Sequence, residues 1–513
     1  MKSSLHFICT LGVFAVSAAL AAAESQAKPE QNRISGEKKI VVEPSRETPI
    51  SHEADVVVIG AAEGGIGGIM AAVAAARRGA KTILIEQGGC IDPALPIGLL
   101  VIGTGEAGGL PSMREGLYRD LVKYVISAGE SDFQPMTLEQ ILERETMIVR
   151  RQDVVTTAML QMMKDAGVQM LFHTRFVSAV MESGRLTGII VESPQGRHAI
   201  RGKVFVDSTG LGDVAAAAGA PMHREEPDMG LQSILAKVDP AKYEQWAMDN
   251  KPPLEATYRQ WLEGIVGPFE KLEHPWNQWW PEMLGDRYSP AMVRKMKEAS
   301  DNGELTLIRR RGARAVMAIP EGLKLLDDYA RPRTYITGID PLNLDDLNWA
   351  EVNSRLALME FQRFLKKYVP GFEQCVMERM DDSIALRGGR YIKVAHNITE
   401  REVSRGARHP DAIFLFRKKP ARQTYEMPYR ALLPDQVEGL LVVGKASAGG
   451  AYLRTTHCTI FQGQAAGTAA ALAVKEGLTP RKVDIARLQA ALKADGVEIP
   501  YPATAKPPAA ESR

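Results

Sequence analysis

The chain has 513 residues, too many for one hydrophobic core, and its length suits two or three domains. Its 63 basic and 62 acidic residues leave a formal net charge of +1, and no basic tract is interleaved with aromatics. That balance argues against nucleic acid as a partner and against attraction to an anionic membrane.

Lys2 gives a short positive start, Leu5 to Leu20 is largely apolar, and Ala21-Ala22-Ala23 supplies an A-x-A cleavage site. This is the pattern of a secretory signal over residues 1–23. An uncleaved anchor is the alternative, although the run is short for a spanning helix and Gly12 and Ser17 interrupt it. No twin arginine precedes it. The expectation is Sec-type export to the periplasm or beyond, with no stable membrane span in the mature protein. Without Cys9 in the signal, Cys90, Cys375 and Cys458 remain, an odd set that makes no disulfide framework. No CxxC, HExxH or His-rich cluster occurs, and no metal site is expected. Residues 24–52, polar with scattered Pro, read as a flexible leader.

Asp55 to Gln87 is the most informative stretch. Val56 to Ile59 is a β-branched run suited to a strand buried on both faces of a parallel sheet. Gly60 to Gly68 holds five glycines, which let backbone N–H groups approach a pyrophosphate. Ile66 to Arg78 reads as a small-residue helix, and Thr82 to Ile85 as the second strand. Glu86 then stands where a carboxylate meets a ribose hydroxyl. Against the G-x-G-x-x-G fingerprint, Gly60 lies three residues too early, as though Ala61 to Gly64 widened the turn. Glu63 is awkward there, because a carboxylate is repelled by a pyrophosphate. The bland alternative is a strand–turn–helix with no nucleotide.

Gly88 to Gly109 reads as a glycine-rich loop, with helices over Gly116–Ala128, Thr137–Val149 and Val154–Asp165. Val168 to Phe172 is a strand, and 176–182, 186–192 and 197–200 look like successive strands of a β-meander. Val204 to Asp207 is another buried strand, leading through Ser208-Thr209-Gly210-Leu211-Gly212-Asp213 into a short helix. A second Gly-rich loop on the same sheet would meet the rest of a dinucleotide.

Residues 221–395 change character, with all six tryptophans, many charges and a long helix over Trp349–Tyr368. They read as an inserted α+β substrate domain between two parts of one nucleotide-binding domain, 53–220 and 396–495, with a tail at 496–513. His274 to Trp280 invites carbohydrate stacking, or else packs an irregular lid. Glu438 to Val443 returns to the sheet and ends in Gly444 to Gly450. Downstream, Gln462-Gly463-Gln464-Ala465-Ala466-Gly467 reads as the start of an alanine-rich helix reaching Lys475. Its dipole would favour negative charge on a reduced ring; close helix–helix packing through small residues is the alternative.

Three segments carry a resemblance: 55–87, VFVDSTGLGDVAAAAGAP at 204–221, and the stretch from YEMPYRALLPDQVEGLLVVGKASAGG to FQGQAAGTAAALA at 425–473. VPGFE at 369–373 and RGGRYIKVAHNIT at 387–399 agree with it. The chain resembles the FAD-dependent oxidoreductase family, related to fumarate reductase flavoproteins and xanthan-lyase-like proteins, from about 55 to 495. The resemblance implies an α/β, glutathione-reductase-like FAD-binding Rossmann-like domain with a β-meander and an inserted substrate domain. It implies that Gly60, Gly65 and Gly68 contact the pyrophosphate, Glu86 the adenosine ribose, and the Val177 backbone the adenine. Gly210 and Asp213 match the second nucleotide loop, while Gly444, Gln464, Ala465 and Gly467 would lie by the ribityl chain and flavin pyrimidine. The loop QGGCIDPALP after Glu86 departs from the small-residue pattern of relatives.

A flavin moves hydride itself, so the protein must orient substrate and move a proton. Arg454 suits a carboxylate or hydroxyl clamp, and His457, with an ordinary pKa near 6.5, suits a base. Arg387 and Arg390 either reach the same cleft or pair with Asp381-Asp382. Tyr452 and His396 are weaker candidates, and Cys90 and Cys458 are either flavin-attachment or redox cysteines or, more ordinarily, buried apolar residues. The leading expectation is an exported FAD enzyme oxidising or reducing a small organic or sugar-derived substrate, with an electron acceptor the sequence does not name. A non-redox flavin lyase or isomerase is the alternative, and a carbohydrate-binding module on a vestigial flavin fold a distant third.

Overall fold

The β-branched run after Asp55 becomes the hub of a parallel sheet in a computed structural model of the chain. The structure describes residues 41–61, 66–89, 91, 101–102, 115–128, 137–143, 147–148, 152–225, 229–249, 290–306, 309–311, 314–320, 329–416, 424–450 and 454–499. Contacts divide the chain into Met1–Pro44 and Ser45–Arg513, and of the first unit only the exposed residues 41–44 are described. The expected signal, Gly64, Gly65, Cys90, the His274–Trp280 cluster and Tyr452 lie outside the described residues.

The first strand, β1 (Ile50–Ile59), starts earlier than its apolar run, because Ile50 and His52 pair with Ala199 and Ile200. The expected leader therefore gives up residues 50–52 to the sheet. Helix α1 (Gly67–Arg77) and β2 (Thr82–Ile85) follow, both almost wholly buried. Helices α2 (Gly116–Ser127) and α3 (Gln152–Asp165) pack on each other. Between them the expected helix over 137–149 is cut short: Leu138–Glu143 is helical, but Met147–Ile148 pairs antiparallel with Val101–Ile102. Sheet pairing wins there over helical periodicity.

Strands β3 (Gln169–Leu171), β4 (Arg175–Glu182), β5 (Arg185–Ser193) and β6 (Gly196–Asp207) complete the first half. The runs 197–200 and 204–207, expected as two strands, are one continuous strand in β6, and its two halves do different work. The first half pairs antiparallel with β5, forming the meander with β4. β1 pairs parallel along most of β6, and the second half of β6 also takes a parallel strand from far downstream, Leu440–Val442. The sheet order is β3-β2-β1-β6-β5-β4, with that late strand also on β6.

A second sheet serves a separate core. It runs in the order β8 (Arg309–Arg311), β9 (Arg314–Pro320), β10 (Pro332–Thr337), β7 (Met229–Gly230) and β11 (Ala385–Leu386). Helix α4 (Leu344–Tyr368) packs on β9 and β10 and brings Leu358, Phe361 and Phe364 to Met229, Ile336 and Leu386. Asn343 caps it, its side chain accepting from the amides of Asp345 and Asp346. The first core gathers residues 54–220 together with 392–499, and the second residues 211–386.

The chain closes through β12, the strand Leu440–Val442, and α5 (Thr456–Glu476). Helix α5 begins at Thr456, not at Gln462, so Gln464, Ala465 and Gly467 lie inside the helix, away from its start. The physical reason is packing. A Cβ on Gly463 would stand 2.9 Å from the Gly67 carbonyl carbon, and one on Gly467 would stand 2.8 Å from that of Ala71. These glycines bring two helix backbones into contact.

Candidate cofactor crevice and active site

The parallel strands β1, β2, β6 and β12 end on one side of the sheet, the side whose crevice takes ligands in open α/β sheets. Both contact pairs, Gly67 with Gly463 and Ala71 with Gly467, advance four residues on each helix, so α1 and α5 run parallel. Their amino ends therefore point to the same side of the sheet as those strand ends. At 1.5 Å per residue, the seven residues from Thr456 to Gly463 carry α5 about 10 Å past the start of α1. Neither helix has a side-chain cap or an acid in its first turn. Each thus presents open N–H groups and positive dipole potential to the crevice.

At the base of the crevice, Gly60 has φ +88° and donates its N–H to Ile85 O at 2.9 Å. A Cβ there would stand 2.6 Å from Ser208 O. Gly60 therefore serves the close approach of two loops, and its amide is not available to a ligand. Gly68 is different: its N–H is one of the open set at the start of α1, and a Cβ would stand 2.9 Å from Ser208 Oγ. That hydroxyl is fully buried and has no hydrogen-bond partner. A bare donor beside an uncapped helix start fits an anionic oxygen there, and the crevice therefore suits the pyrophosphate of FAD.

Glu86 is buried at the end of β2. Its Oε2 accepts from Ala61 N at 2.8 Å and its Oε1 from Gly88 N at 2.9 Å, tying the first turn to the second strand. The next strands close over it, since Thr174 N donates to Glu86 O. Val177 is exposed, and the ladder between β4 and β5 passes over it, pairing Phe176 with Val191 and Ser178 with Ile190. A residue skipped by a bulge keeps its backbone groups for another partner.

In the second loop, Asp207 is buried and burial pushes its carboxyl pKa upward. It accepts from Thr209 N, Thr209 Oγ1 and Ala215 N, and Thr209 Oγ1 accepts in turn from Asp213 N. Gly210 takes φ +82° in the same turn. Arg390 holds this loop in place: its Nε donates to Leu211 O at 2.9 Å and its Nη2 to Asp213 Oδ1 at 2.7 Å. The sequence suggested a catalytic arginine or a partner of Asp381-Asp382. The structure places Arg390 on the Asp213 loop, and the Asp382 carbonyl takes Arg355 instead.

Gly444 donates its N–H to Gln462 Oε1 at 2.8 Å, so this amide too is committed within the protein. Its neighbour Lys445, unremarked in the sequence, is 4 % exposed and extends Nζ to Leu386 O at 2.8 Å on the second sheet. A lysine inside an apolar strand-end segment was the available signal.

His457 lies in the first turn of α5, 2 % exposed, with its ring 5.0 Å from that of Tyr118. Its Nε2 has no hydrogen-bond partner. Burial pushes its pKa down to about 4, so the ring is neutral at physiological pH, whereas the sequence suggested a base near its ordinary value. Gln464, one face along the same helix, accepts from Leu117 N at 3.0 Å. Arg454 is exposed just before the helix. Arg387, on the second sheet next to Leu386, is half-buried, with its guanidinium 5.8 Å from the centre of the Tyr335 ring. His396 is exposed and paired with Glu402 at 2.6 Å, on the short helix Glu400–Arg405. Cys458 and Cys375 are buried and form no disulfide, and burial pushes the Cys375 thiol up to about 11.

The sequence profile described as FAD dependent oxidoreductase matches residues 55–492. No curated protein matches the chain. Among solved structures, the chain is similar to a geranylgeranyl bacteriochlorophyll reductase-like protein from Thermoplasma acidophilum, at 14% identity and TM-score 0.38, covering 87% of this chain and 88% of that one. It is similar to the flavin-dependent brominase Bmp2 at 14% identity and TM-score 0.38, over 86% and 83% of the two chains. A third is p-nitrophenol 4-monooxygenase from Pseudomonas putida DLL-E4, at 12% identity and TM-score 0.40, over 86% and 88%.

Proposed function

The chain belongs to the FAD dependent oxidoreductase family and is an FAD enzyme, and on that premise we propose that it is exported and moves hydride between FAD and a small organic or sugar-derived substrate. The observation that carries this reading is the parallel pair α1 and α5, two uncapped helix starts offset along one crevice. When bound, FAD takes up or returns the hydride. In this reading the open amides at the start of α1, Gly68 among them, and the Ser208 hydroxyl bind the pyrophosphate. Glu86 fixes the turn beside the ribose, and the backbone of Val177 takes the adenine edge. Gly210, Asp213 and Arg390 shape the second loop against the nucleotide.

The start of α5 replaces the interior residues Gln464, Ala465 and Gly467 as the positive end beside the ring. His457, neutral and bare at Nε2, is the atom pair for a proton during turnover: a desolvated imidazole accepts or donates one there without first shedding water. Arg454, at the exposed lip before the helix, orients substrate. Export rests on the amino-terminal pattern of residues 1–23. No helix among the described residues is long and apolar enough to cross a membrane.

Anaerobic reduction of the purified holoprotein by a panel of sugars, hydroxy acids and amines tests the reading. Loss of flavin colour with at least one class supports it. Product formed with no net bleaching would replace it with the lyase or isomerase reading.

A further inference from the structure

Resting on the reading of this crevice as the flavin site, we infer that the substrate carries a carboxylate, held on the second sheet by Arg387 and the Tyr335 hydroxyl with Arg333 beneath the ring. The register sets the placement. Met229 pairs with Ile336 on one side and with Leu386 on the other, so these three residues share one face of the sheet. Side chains alternate along a strand, which puts Arg333, Tyr335 and Arg387 together on the opposite face. The ring contacts agree, since the Arg333 guanidinium is 4.2 Å from the Tyr335 ring centre and that of Arg387 is 5.8 Å away. Between Tyr335 and Arg387, β7 contributes Gly230, which lies so close to the Thr334 carbonyl that a Cβ would stand 3.1 Å from its carbon, so no side chain of β7 separates the two residues.

Three features point to a ligand. Tyr335 is 8 % exposed and its hydroxyl has no hydrogen-bond partner, a costly state for a buried donor. Arg387 is half-buried, and among the described residues no carboxylate lies within ion-pair distance of it. A planar guanidinium fork beside a phenol donor matches the oxygens of a carboxylate. The position also adjoins the crevice. Leu386, before Arg387, receives Lys445 from the loop after β12, and a Cβ on Gly389 would stand 2.9 Å from Leu211 Cδ2 of the second loop. Arg387 is thus flanked on both sides by contacts to the loops that line the flavin site. Arg387 and Tyr335 are binding residues in this account, and neither is needed to hold FAD.

The test uses the FAD-loaded protein and matched pairs that differ only in charge: glucuronate and glucuronamide, succinate and succinamide, benzoate and benzamide. Binding is followed by the flavin difference spectrum and by thermal stabilisation, with no turnover required. At least one carboxylate should bind roughly tenfold or more tightly than its amide, as expected for charge-assisted hydrogen bonds. Arg387→Gln should erase that preference, and Tyr335→Phe, which keeps the ring between the arginines, should reduce it severalfold, with FAD content unchanged in both. Equal binding of acids and amides, binding by none, or a preference that survives Arg387→Gln overturns the inference. Such a result leaves the flavin reading standing, because that reading fails on FAD content and flavin reduction, which are read separately.

Discussion

Gly463 in α5 meets Gly67 at the start of α1 so closely that a Cβ on Gly463 would stand 2.9 Å from the Gly67 carbonyl carbon. This contact aligns the two helix starts that face the crevice, so changing it should affect fold and cofactor together. Gly463→Ala must push the helices apart, at a cost of about 1–3 kcal/mol for overpacking. The melting temperature and the FAD retained per chain after gel filtration should both fall. An alanine variant with unchanged melting and full flavin would show that this contact does not set the alignment.

Arg390 and Asp213 make a different kind of link. Asp213 is about half exposed, so solvent screens the pair and its contribution to stability is modest, on the order of 1 kcal/mol or less. Arg390→Gln should weaken FAD binding by roughly threefold to fivefold through loosening of the 207–213 loop. The rate of reduction per bound flavin should stay within about twofold of the parent, since transition-state stabilisation is untouched. A collapse of that rate with FAD binding intact would restore the catalytic role that the sequence suggested.

Glu86 accepts two backbone N–H groups, so Glu86→Ala leaves the buried Ala61 N–H and the half-buried Gly88 N–H without it. The loss should be about 2–4 kcal/mol, with weaker FAD binding. Chemical denaturation with and without added FAD separates the two effects. A variant as stable as the parent would mean that water or another acceptor satisfies Ala61 N and Gly88 N.

The pH dependence follows from His457 and His409, both pushed down to about 4, His457 by burial and His409 by burial and then by the Arg430 charge. The unfolded chain takes up these protons as pH falls below the ordinary histidine value near 6.5, while the folded chain does not until about pH 4. Their contribution is therefore full above pH 6.5, falls between 6.5 and 4, and is level below that. Each histidine accounts for at most about 3 kcal/mol across the window. Unfolding free energy measured against pH should show this slope, and His457→Gln should remove about one proton from it. An unaltered slope would mean that His457 is protonated in the folded protein.

Much of this was legible because local pattern and tertiary demand agreed. Val56 to Ile59, Ile83 to Ile85 and Val204 to Val206 are apolar because they lie in a sheet core, and glycine-bearing turns come within a few residues of each. The start of α5 was misplaced because Gly463 and Gly467 resemble an N-terminal turn in sequence, while their use is backbone contact with α1. No local pattern distinguishes those uses. The link from Arg390 to the second loop was hidden for a similar reason: its partner Asp213 is 177 positions away and its other partner is a carbonyl. Tyr335, Arg333 and Lys445 went unnoticed because their significance lies in register and burial, which composition does not reveal.

Stopped-flow mixing of the FAD-loaded protein with candidate substrates, without oxygen, tests the central claim most directly. A small organic or sugar-derived compound should bring net loss of the oxidised flavin spectrum, and the loss should be slower in His457→Gln at equal FAD content. Conversion of a substrate while the flavin remains oxidised throughout, or protein that folds without flavin and gains no stability from added FAD, would contradict it.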